Sequence, residues 1–188
     1  WLLRDVGRVN PALRQTSLRY FNVVGSGPPH LADHSPHNLF PKVFRAVTAG
    51  ERPVVFGNDY PTPDGSCVRD YVHVVDLADA HVTAARVLDS GAECAPAYNV
   101  GRGEGSSVFE VLDSIRSVTG IDFEYDIQPR RPGDAARIVG SADRIAADFD
   151  WRAKYELGDM VESAWAAWQH QLELHGGPPA DGGFGLTS

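Results

Sequence analysis

Arg69 is the residue whose type and position most clearly point to chemistry. It lies directly before an apolar strand pattern that begins at Asp70 and runs to Val75. A guanidinium that is buried at the start of a strand needs a partner, because an unpaired charge is costly to remove from water. The candidate partners are the adjacent Asp70, a carboxylate on a neighbouring strand, or the phosphate of a ligand.

Arg131 and Asp134 pose the same question. The intervening Pro132 and Gly133 predict a sharp turn that would aim both side chains at one spot. Planar guanidinium groups suit bidentate recognition of a diphosphate, but they also form structural ion pairs with carboxylates. The residues alone therefore leave ligand binding and a structural salt bridge equally open.

A glycine turn offers a second candidate for phosphate chemistry. Gly101, Gly103 and Gly105 follow a predicted strand and precede a predicted helix, as in a dinucleotide-binding loop. Their spacing is G-x-G-x-G, whereas a dinucleotide loop needs G-x-G-x-x-G so that each glycine serves its own close approach. We therefore predict a structural turn here.

A histidine cluster raises the possibility of a metal site. His30, His34 and His37, with Asp33 between them, offer ligands of the kind that zinc prefers. The prolines in this segment argue against an ordered helix, so the imidazoles have no evident common face. A polar surface loop without metal is the favoured interpretation.

A third pattern, Asp70 with His73 and Asp76, could be taken for a catalytic triad. Strand alternation places His73 on the face opposite the two carboxylates, and no serine lies on a strand-to-helix elbow. We instead predict that His73 is an ordinary strand residue and that Asp76 is the N-cap of the next helix.

The elements that must position these residues alternate along the chain. Strands are predicted at 17–21, 53–57, 70–75, 97–100 and 123–127, and helices at 38–49, 76–88, 108–118 and 157–174. This alternation predicts an α/β architecture in which an open sheet carries a small appended lobe. Residues 1–175 are predicted to form one interleaved unit, and the Gly- and Pro-rich segment 176–188 a flexible tail.

Composition limits the possible partners and the compartment. With 43% hydrophobic and 22% charged residues, the 188-residue chain has the make-up of a folded globular protein. A formal net charge of −8 argues against nucleic acid or an anionic membrane as the main partner. Two cysteines, Cys67 and Cys94, are expected as free thiols. Since no membrane-length apolar run or signal peptide is present, we expect a cytoplasmic protein.

Four motifs resemble those of one enzyme family. The stretch NDYPTPDGSCVRDY at residues 58–71 closely resembles the signature of UDP-glucose 4-epimerases, members of the NAD-dependent epimerase/dehydratase family within the extended short-chain dehydrogenases/reductases. LRYFN at 18–22, NLFP at 38–41 and RRPGD at 130–134 follow the same family's order. The resemblance implies the C-terminal portion of a Rossmann-like open sheet plus a small α/β substrate-binding lobe.

The resemblance also implies an activity and indicates what this chain lacks. Family members interconvert UDP-glucose and UDP-galactose through a 4-keto intermediate with bound NAD. Their G-x-x-G-x-x-G loop and Tyr-x-x-x-Lys pair are absent here, so we expect no catalytic residue in this chain and NAD bound mainly by a missing N-terminal half. The chain starts at Trp1 and has Met160 as its only methionine, which also predicts upstream sequence. The complete enzyme is expected to be a homodimer, and the isolated chain to be inactive.

Motif matching implies a set of site residues. Those assigned to the UDP-sugar are Asn22 for the sugar or diphosphate, Asn38 and Leu39 for the diphosphate, Val54 and Phe56 for uracil, Arg69 and Arg131 for the diphosphate, and Asp134 for the ribose. Phe21 is assigned to the nicotinamide, and no residue to a metal. Ile138 departs from the family pattern, since many members carry an aromatic residue there. Two alternatives remain: a nucleotide-sugar 4,6-dehydratase-type relative and a non-catalytic UDP-sugar-binding fragment.

Overall fold

The structure, a computed structural model, describes residues 2–10, 12–33, 35 and 37–176. The helices are α1 (Leu2–Val9), α2 (Leu39–Thr48), α3 (Val74–Asp89), α4 (Val108–Thr119), α5 (Asp143–Phe149) and α6 (Leu157–His175). The strands are β1 (Ser17–Tyr20), β2 (Asn22–Val24), β3 (Val54–Phe56), β4 (Val68–His73), β5 (Ala97–Val100), β6 (Gly105–Ser107), β7 (Asp126–Gln128) and β8 (Arg137–Ile138). Apart from Gly176, the predicted tail lies outside the described residues.

The strands form three small sheets. β1 pairs with β5, and β3 with β7, each in parallel. β4 is the centre of the third sheet, where it pairs in parallel with β2 and β8 and antiparallel with β6. This combination of parallel and mixed sheets with helices between the strands confirms the predicted α/β architecture.

Two apolar clusters form the core. The larger joins α2, α4 and α6, where the Phe44 ring lies 5.3 Å from the Trp165 ring and 6.0 Å from the Trp168 ring. The smaller packs α3 and α5 against β5, with Tyr98 and Ile145 fully buried. Because the apolar residues of α2 recur at helical spacing, their side chains form one face that enters the larger cluster.

Helix boundaries were predicted well where local signals set them. The Ser107 hydroxyl accepts a hydrogen bond from the Glu110 amide at 3.0 Å, and the Glu110 carboxylate accepts one from the Ser107 amide at 2.7 Å. This capping box starts α4, as predicted, and Gly120 ends the helix in the left-handed region, with a φ of 68°.

The predicted N-cap of α3 is wrong. β4 ends at His73, whose Nδ1 accepts a hydrogen bond from the Val75 amide at 3.0 Å, so His73 is the cap. Asp76 is buried in the first turn, where its carboxylate accepts hydrogen bonds from the amides of Lys154 and Tyr155. The helix starts earlier than predicted because an imidazole nitrogen can satisfy an N-terminal amide as a carboxylate does.

Several strands also differ from the prediction. The strand expected at 17–21 ends at Tyr20. After Phe21 the chain forms a second strand, β2, which pairs with β4. β7 begins at Asp126 rather than at 123. The strands β6 and β8 were not predicted, because two- and three-residue strands are set by their distant partners rather than by local alternation. The seven-residue helix α5 was not predicted either.

Candidate functional site

A cleft of about 500 Å³ lies between α2, β3, the start of β4 and the turn after β7. It is lined by all eight residues that the resemblance assigned to a UDP-sugar, namely Asn22, Asn38, Leu39, Val54, Phe56, Arg69, Arg131 and Asp134. These residues come from separate segments of the chain, so their convergence is a property of the fold.

Strand pairing explains how the charged residues meet. β3 and β7 are parallel, with Phe56 opposite Gln128, so both strands end at the same edge of their sheet. The turn that carries Arg131 and Asp134 therefore starts beside Phe56. β8 then pairs with β4, with Ile138 opposite Arg69, and this pairing returns the chain to Arg69. Ligands of α/β proteins commonly bind outside the carboxyl ends of parallel strands.

Asp134 lies between the two arginines. Arg131 Nε donates to Asp134 Oδ2 at 3.0 Å, and Arg69 Nη2 lies 3.7 Å from Asp134 Oδ1. Arg69 Nη1 also donates to the carbonyl of Ala135 at 2.8 Å. The Arg131 guanidinium covers the Phe56 ring at 4.8 Å from its centroid. Among the described residues, Arg69 therefore pairs with a carboxylate of a neighbouring segment, whereas the adjacent Asp70 is held by the amides of Arg102 and Gly140.

The cleft carries more positive than negative charge. Its charged lining residues are Lys42, Arg52, Arg69 and Arg131 against Glu51 and Asp134. Such a local excess of cations, on a chain with a net charge of −8, favours an anionic ligand. Lys42 and Arg52 were not predicted as cleft residues. Their positions in the sequence were the available signal, since Lys42 lies on the exposed face of α2 and Arg52 lies just before β3.

Two asparagines, Asn22 and Asn38, line the cleft near the start of α2. Asn22 Nδ2 donates to the carbonyl of Asp70 at 3.0 Å, so its amide plane is held by β4. Asn38 Nδ2 donates to the Asp33 carboxylate at 2.8 Å and makes no capping hydrogen bond to α2. The first amides of a helix have no partner within the helix, so the start of α2 offers donors to an anion.

Phe21 does not line this cleft but lines an adjoining cavity of about 320 Å³. Asn22, Asn38, Leu39 and Tyr71 line both spaces, so the cavity and the cleft adjoin. Burial raises the pKa of the Tyr71 phenol far above its ordinary value, which keeps it protonated.

The glycine turn after β5 holds a protein carboxylate. The amides of Arg102 and Gly140 donate to Asp70 at 3.0 and 3.3 Å, and a Cβ at Gly101 would lie 2.7 Å from the same carboxylate. Burial raises the pKa of Asp70, and these amide hydrogen bonds oppose the rise. The prediction of a structural turn is confirmed.

The other candidate sites contain no reactive arrangement in the described part of the chain. His73 Nε2 lies 2.9 Å from Ser163 Oγ, and burial lowers the pKa of His73. Among the described residues, which do not include His34, no group of three or more His, Cys, Asp or Glu side chains could hold a metal ion. Cys67 and Cys94 are both free thiols, as predicted. None of the helices described is both long enough and apolar enough to cross a membrane.

Comparison with known proteins identifies the family. A family model described as the NAD dependent epimerase/dehydratase family matches residues 1–101. The chain belongs to this family. It is 44% identical over 170 residues to UDP-glucose 4-epimerase 4 of Oryza sativa subsp. japonica, an alignment that covers 87% of this chain and 46% of the relative. It is 39% identical over 173 residues to the UDP-glucose 4-epimerase of Yersinia enterocolitica, covering 89% of this chain and 50% of the relative.

Solved structures of the family superpose on the fold. A UDP-glucose 4-epimerase of Stenotrophomonas maltophila, with bound NAD and formylated UDP-arabinopyranose, gives a TM-score of 0.82 at 35% identity and covers 92% of this chain and 52% of that chain. The UDP-glucose 4-epimerase of Bifidobacterium longum, in complex with NAD+ and UDP, gives a TM-score of 0.79 at 38% identity. The match covers 90% of this chain and 51% of that chain. The predicted fold class, part of a Rossmann-like sheet with an α/β lobe, is confirmed. The chain spans about half the length of these relatives.

Proposed function

We propose that this chain forms the UDP-sugar-binding part of a UDP-glucose 4-epimerase. The observation that carries the proposal is the convergence of two arginines and one carboxylate, Arg69, Arg131 and Asp134, on a single cleft lined by the other predicted residues. The relatives of both sequence and structure support the same assignment, since their names give that activity.

The arginines are proposed to bind the diphosphate. Arg131 uses Nε for Asp134, which leaves its Nη groups directed to a half-exposed space. Arg69 is anchored to backbone carbonyls and keeps Nη2 near the Asp134 carboxylate. A diphosphate would draw both guanidinium groups into charge-assisted hydrogen bonds, which are among the strongest that proteins form.

The nucleoside is proposed to lie across Asp134 and the end of β3. A carboxylate accepts hydrogen bonds only, which suits the two hydroxyls of a ribose. Val54 and Phe56 are successive same-face residues of β3, so their side chains form one apolar wall on which uracil would rest. Asn22, Asn38 and Leu39 would contact the diphosphate and sugar from the side where the cleft adjoins the cavity that Phe21 lines.

NAD is proposed to be held mainly outside this chain, in the half that the relatives have beyond the matched region. Within the chain, the glycine turn after β5 holds Asp70, and Phe21 alone is assigned to the nicotinamide side. The cofactor supplies hydride transfer at the sugar's C4 when bound; this chain's residues bind and orient the nucleotide. We further propose a homodimer for the complete enzyme and no catalysis by the chain alone.

The proposal is tested with protein expressed from the complete coding sequence that contains this chain. We expect conversion of UDP-glucose to UDP-galactose and saturable binding of UDP by titration calorimetry. The 188-residue chain alone, if circular dichroism shows that it folds, is expected to bind UDP without conversion. A 4-keto-6-deoxy product would identify a dehydratase, and folded full-length protein that does not bind UDP would contradict the proposal.

A further inference from the structure

The segment that carries Arg131 and Asp134 has little burial to fix its position. All residues from 126 to 133 are exposed, and the pairing of β7 with β3 ends at Gln128. The next residue, Pro129, has no amide N–H with which to continue the pairing. Neither core packing nor a strand ladder therefore holds the residues between the end of β7 and the turn.

The Arg130 side chain links this segment to the loop after β3. Its Nε donates to the Asp59 carboxylate at 2.6 Å, and its Nη2 donates to the Asp59 carbonyl. Its guanidinium lies 4.2 Å from the centroid of the Tyr60 ring. Arg130 is not among the described residues that line the cleft, whereas its neighbour Arg131 is. The two consecutive arginines therefore have different surroundings.

The surface on which Arg130 rests is buried and closed by a hydrogen bond. Tyr60 is only 5% exposed, and its amide donates to the carbonyl of Gly65 at 2.8 Å. Gly57 has a φ of 84°, and a Cβ there would lie 2.6 Å from the Tyr60 ring and 2.7 Å from Arg130 Cγ. The absence of a side chain at Gly57 thus lets the arginine and the ring approach each other.

Resting on the proposed function, we propose that Arg130 is a positioning residue, which holds the turn that follows it so that Arg131 and Asp134 face the bound nucleotide. The other end of the turn has its own anchor, since Arg69 Nη1 donates to the carbonyl of Ala135 at 2.8 Å. Arg130 supplies the contact at the end where the strand pairing has stopped. Without this contact the turn would sample more positions, and the ordering that binding then requires would lower the affinity.

The test compares Arg130→Ala with Arg116→Ala in full-length protein. Arg116 makes the same three kinds of contact, to a carboxylate, a backbone carbonyl and an aromatic ring, but is not among the described residues that line the cleft. A general loss of stability would therefore affect both variants. In calorimetric titration with UDP we expect R130A to weaken binding about fivefold and R116A to leave it unchanged.

Two further variants separate position from charge. Arg130→Lys retains the positive charge but not the planar group that stacks on the ring and donates from two nitrogens, so we expect UDP binding about threefold weaker than in wild type. The R130A change is also made in an R131A background. There it should weaken UDP binding less than it does in wild type, because one of the residues that it positions is gone.

The outcomes decide between this role and others. Wild-type affinity in R130A or in R130K, an equal loss from R130A in both backgrounds, or a loss in R116A as large as that in R130A would each overturn the role proposed for Arg130. Wild-type protein that fails to bind UDP would contradict the proposed function instead, which separates the two failures.

Discussion

Two arginines of this protein have nearly the same local surroundings, but we propose different roles for them. Arg131 lies 4.8 Å from the Phe56 centroid and pairs with a carboxylate three residues away, Asp134, at 3.0 Å. Arg116 lies 4.7 Å from the Phe123 centroid and pairs with a carboxylate three residues away, Asp113, at 2.7 Å. An arginine over an aromatic ring with a nearby carboxylate is therefore not by itself a sign of a ligand site.

The difference lies in the donors that each arginine still has available. Arg116 also donates from Nε and Nη2 to the carbonyl of Phe123, and its side chain is 28% exposed. Arg131 is 54% exposed, and among the described residues it donates a hydrogen bond only from Nε. A second arginine, Arg69, faces the same carboxylate. Unused donors that lie near a second cation are therefore the feature on which we base the proposal of a ligand site at Arg131 and not at Arg116.

The largest expected effect is on nucleotide affinity. Arg131→Ala should weaken UDP binding by about 1.5 to 3 kcal/mol, the scale of a charged hydrogen bond, and Arg69→Ala by a similar amount. Arg116→Ala should leave UDP affinity unchanged in the same calorimetric titration. Equal affinities for wild type, R131A and R69A would remove the assignment of the cleft, and a loss in R116A would break the comparison.

The free energy of unfolding should respond in the opposite order to UDP affinity, with the larger loss in R116A and the smaller loss in R131A. R116A removes two hydrogen bonds to a backbone carbonyl and an ion pair, so we expect a loss of about 2 kcal/mol in the free energy of unfolding. R131A removes a half-exposed ion pair, for which about 0.5 kcal/mol is expected. Urea denaturation of the two variants without ligand measures both values, and the account fails here if R131A proves the less stable.

The aromatic partners sharpen the comparison further. Phe56→Leu should weaken UDP binding by about 1 kcal/mol, because it removes both the surface proposed for uracil and the ring that orients Arg131. Phe123→Leu serves as the matched control, for which UDP affinity should not change. If the two variants lose affinity equally, the effect comes from general loosening of the fold.

The smallest expected effect is on the pH dependence of stability, and it involves His73, the buried residue that caps α3. Burial lowers the pKa of His73 below its ordinary value of 6.5, so between the folded-state pKa and pH 6.5 the imidazole is neutral in the folded state and mostly protonated in the unfolded state. A group with a depressed pKa contributes stability above 6.5 that is lost as pH falls toward the folded-state pKa. Unfolding measured from pH 7.5 downward should show this decline, and His73→Asn, which retains a capping acceptor, should flatten it. An unchanged slope in H73N would assign the decline to other groups.

Much of the site could be predicted from the sequence because its residues lie in short, ordered motifs. The start of α2 directly after Asn38 follows from apolar spacing, and the turn between Arg131 and Asp134 follows from Pro132 and Gly133. The cleft contains all eight residues assigned to a UDP-sugar by the family's motifs.

Other features could not be predicted because distant parts of the chain determine them. β2 forms because Asn22 and the two residues after it pair with β4. His73 caps α3 because β4 ends at this residue. Arg52 lines the cleft although it also pairs with Glu124 and Asp126, and its position just before β3 is the only signal that the sequence offers for it.

The central claim is that this cleft holds the diphosphate and ribose of a UDP-sugar. The most direct measurement is a crystal structure of the full-length protein with UDP bound. We expect guanidinium nitrogens of Arg69 and Arg131 within about 2.7 to 3.2 Å of phosphate oxygens, with Asp134 at the ribose hydroxyls. UDP bound elsewhere, or bound here with both arginines still engaged only by Asp134 and backbone carbonyls, would contradict it.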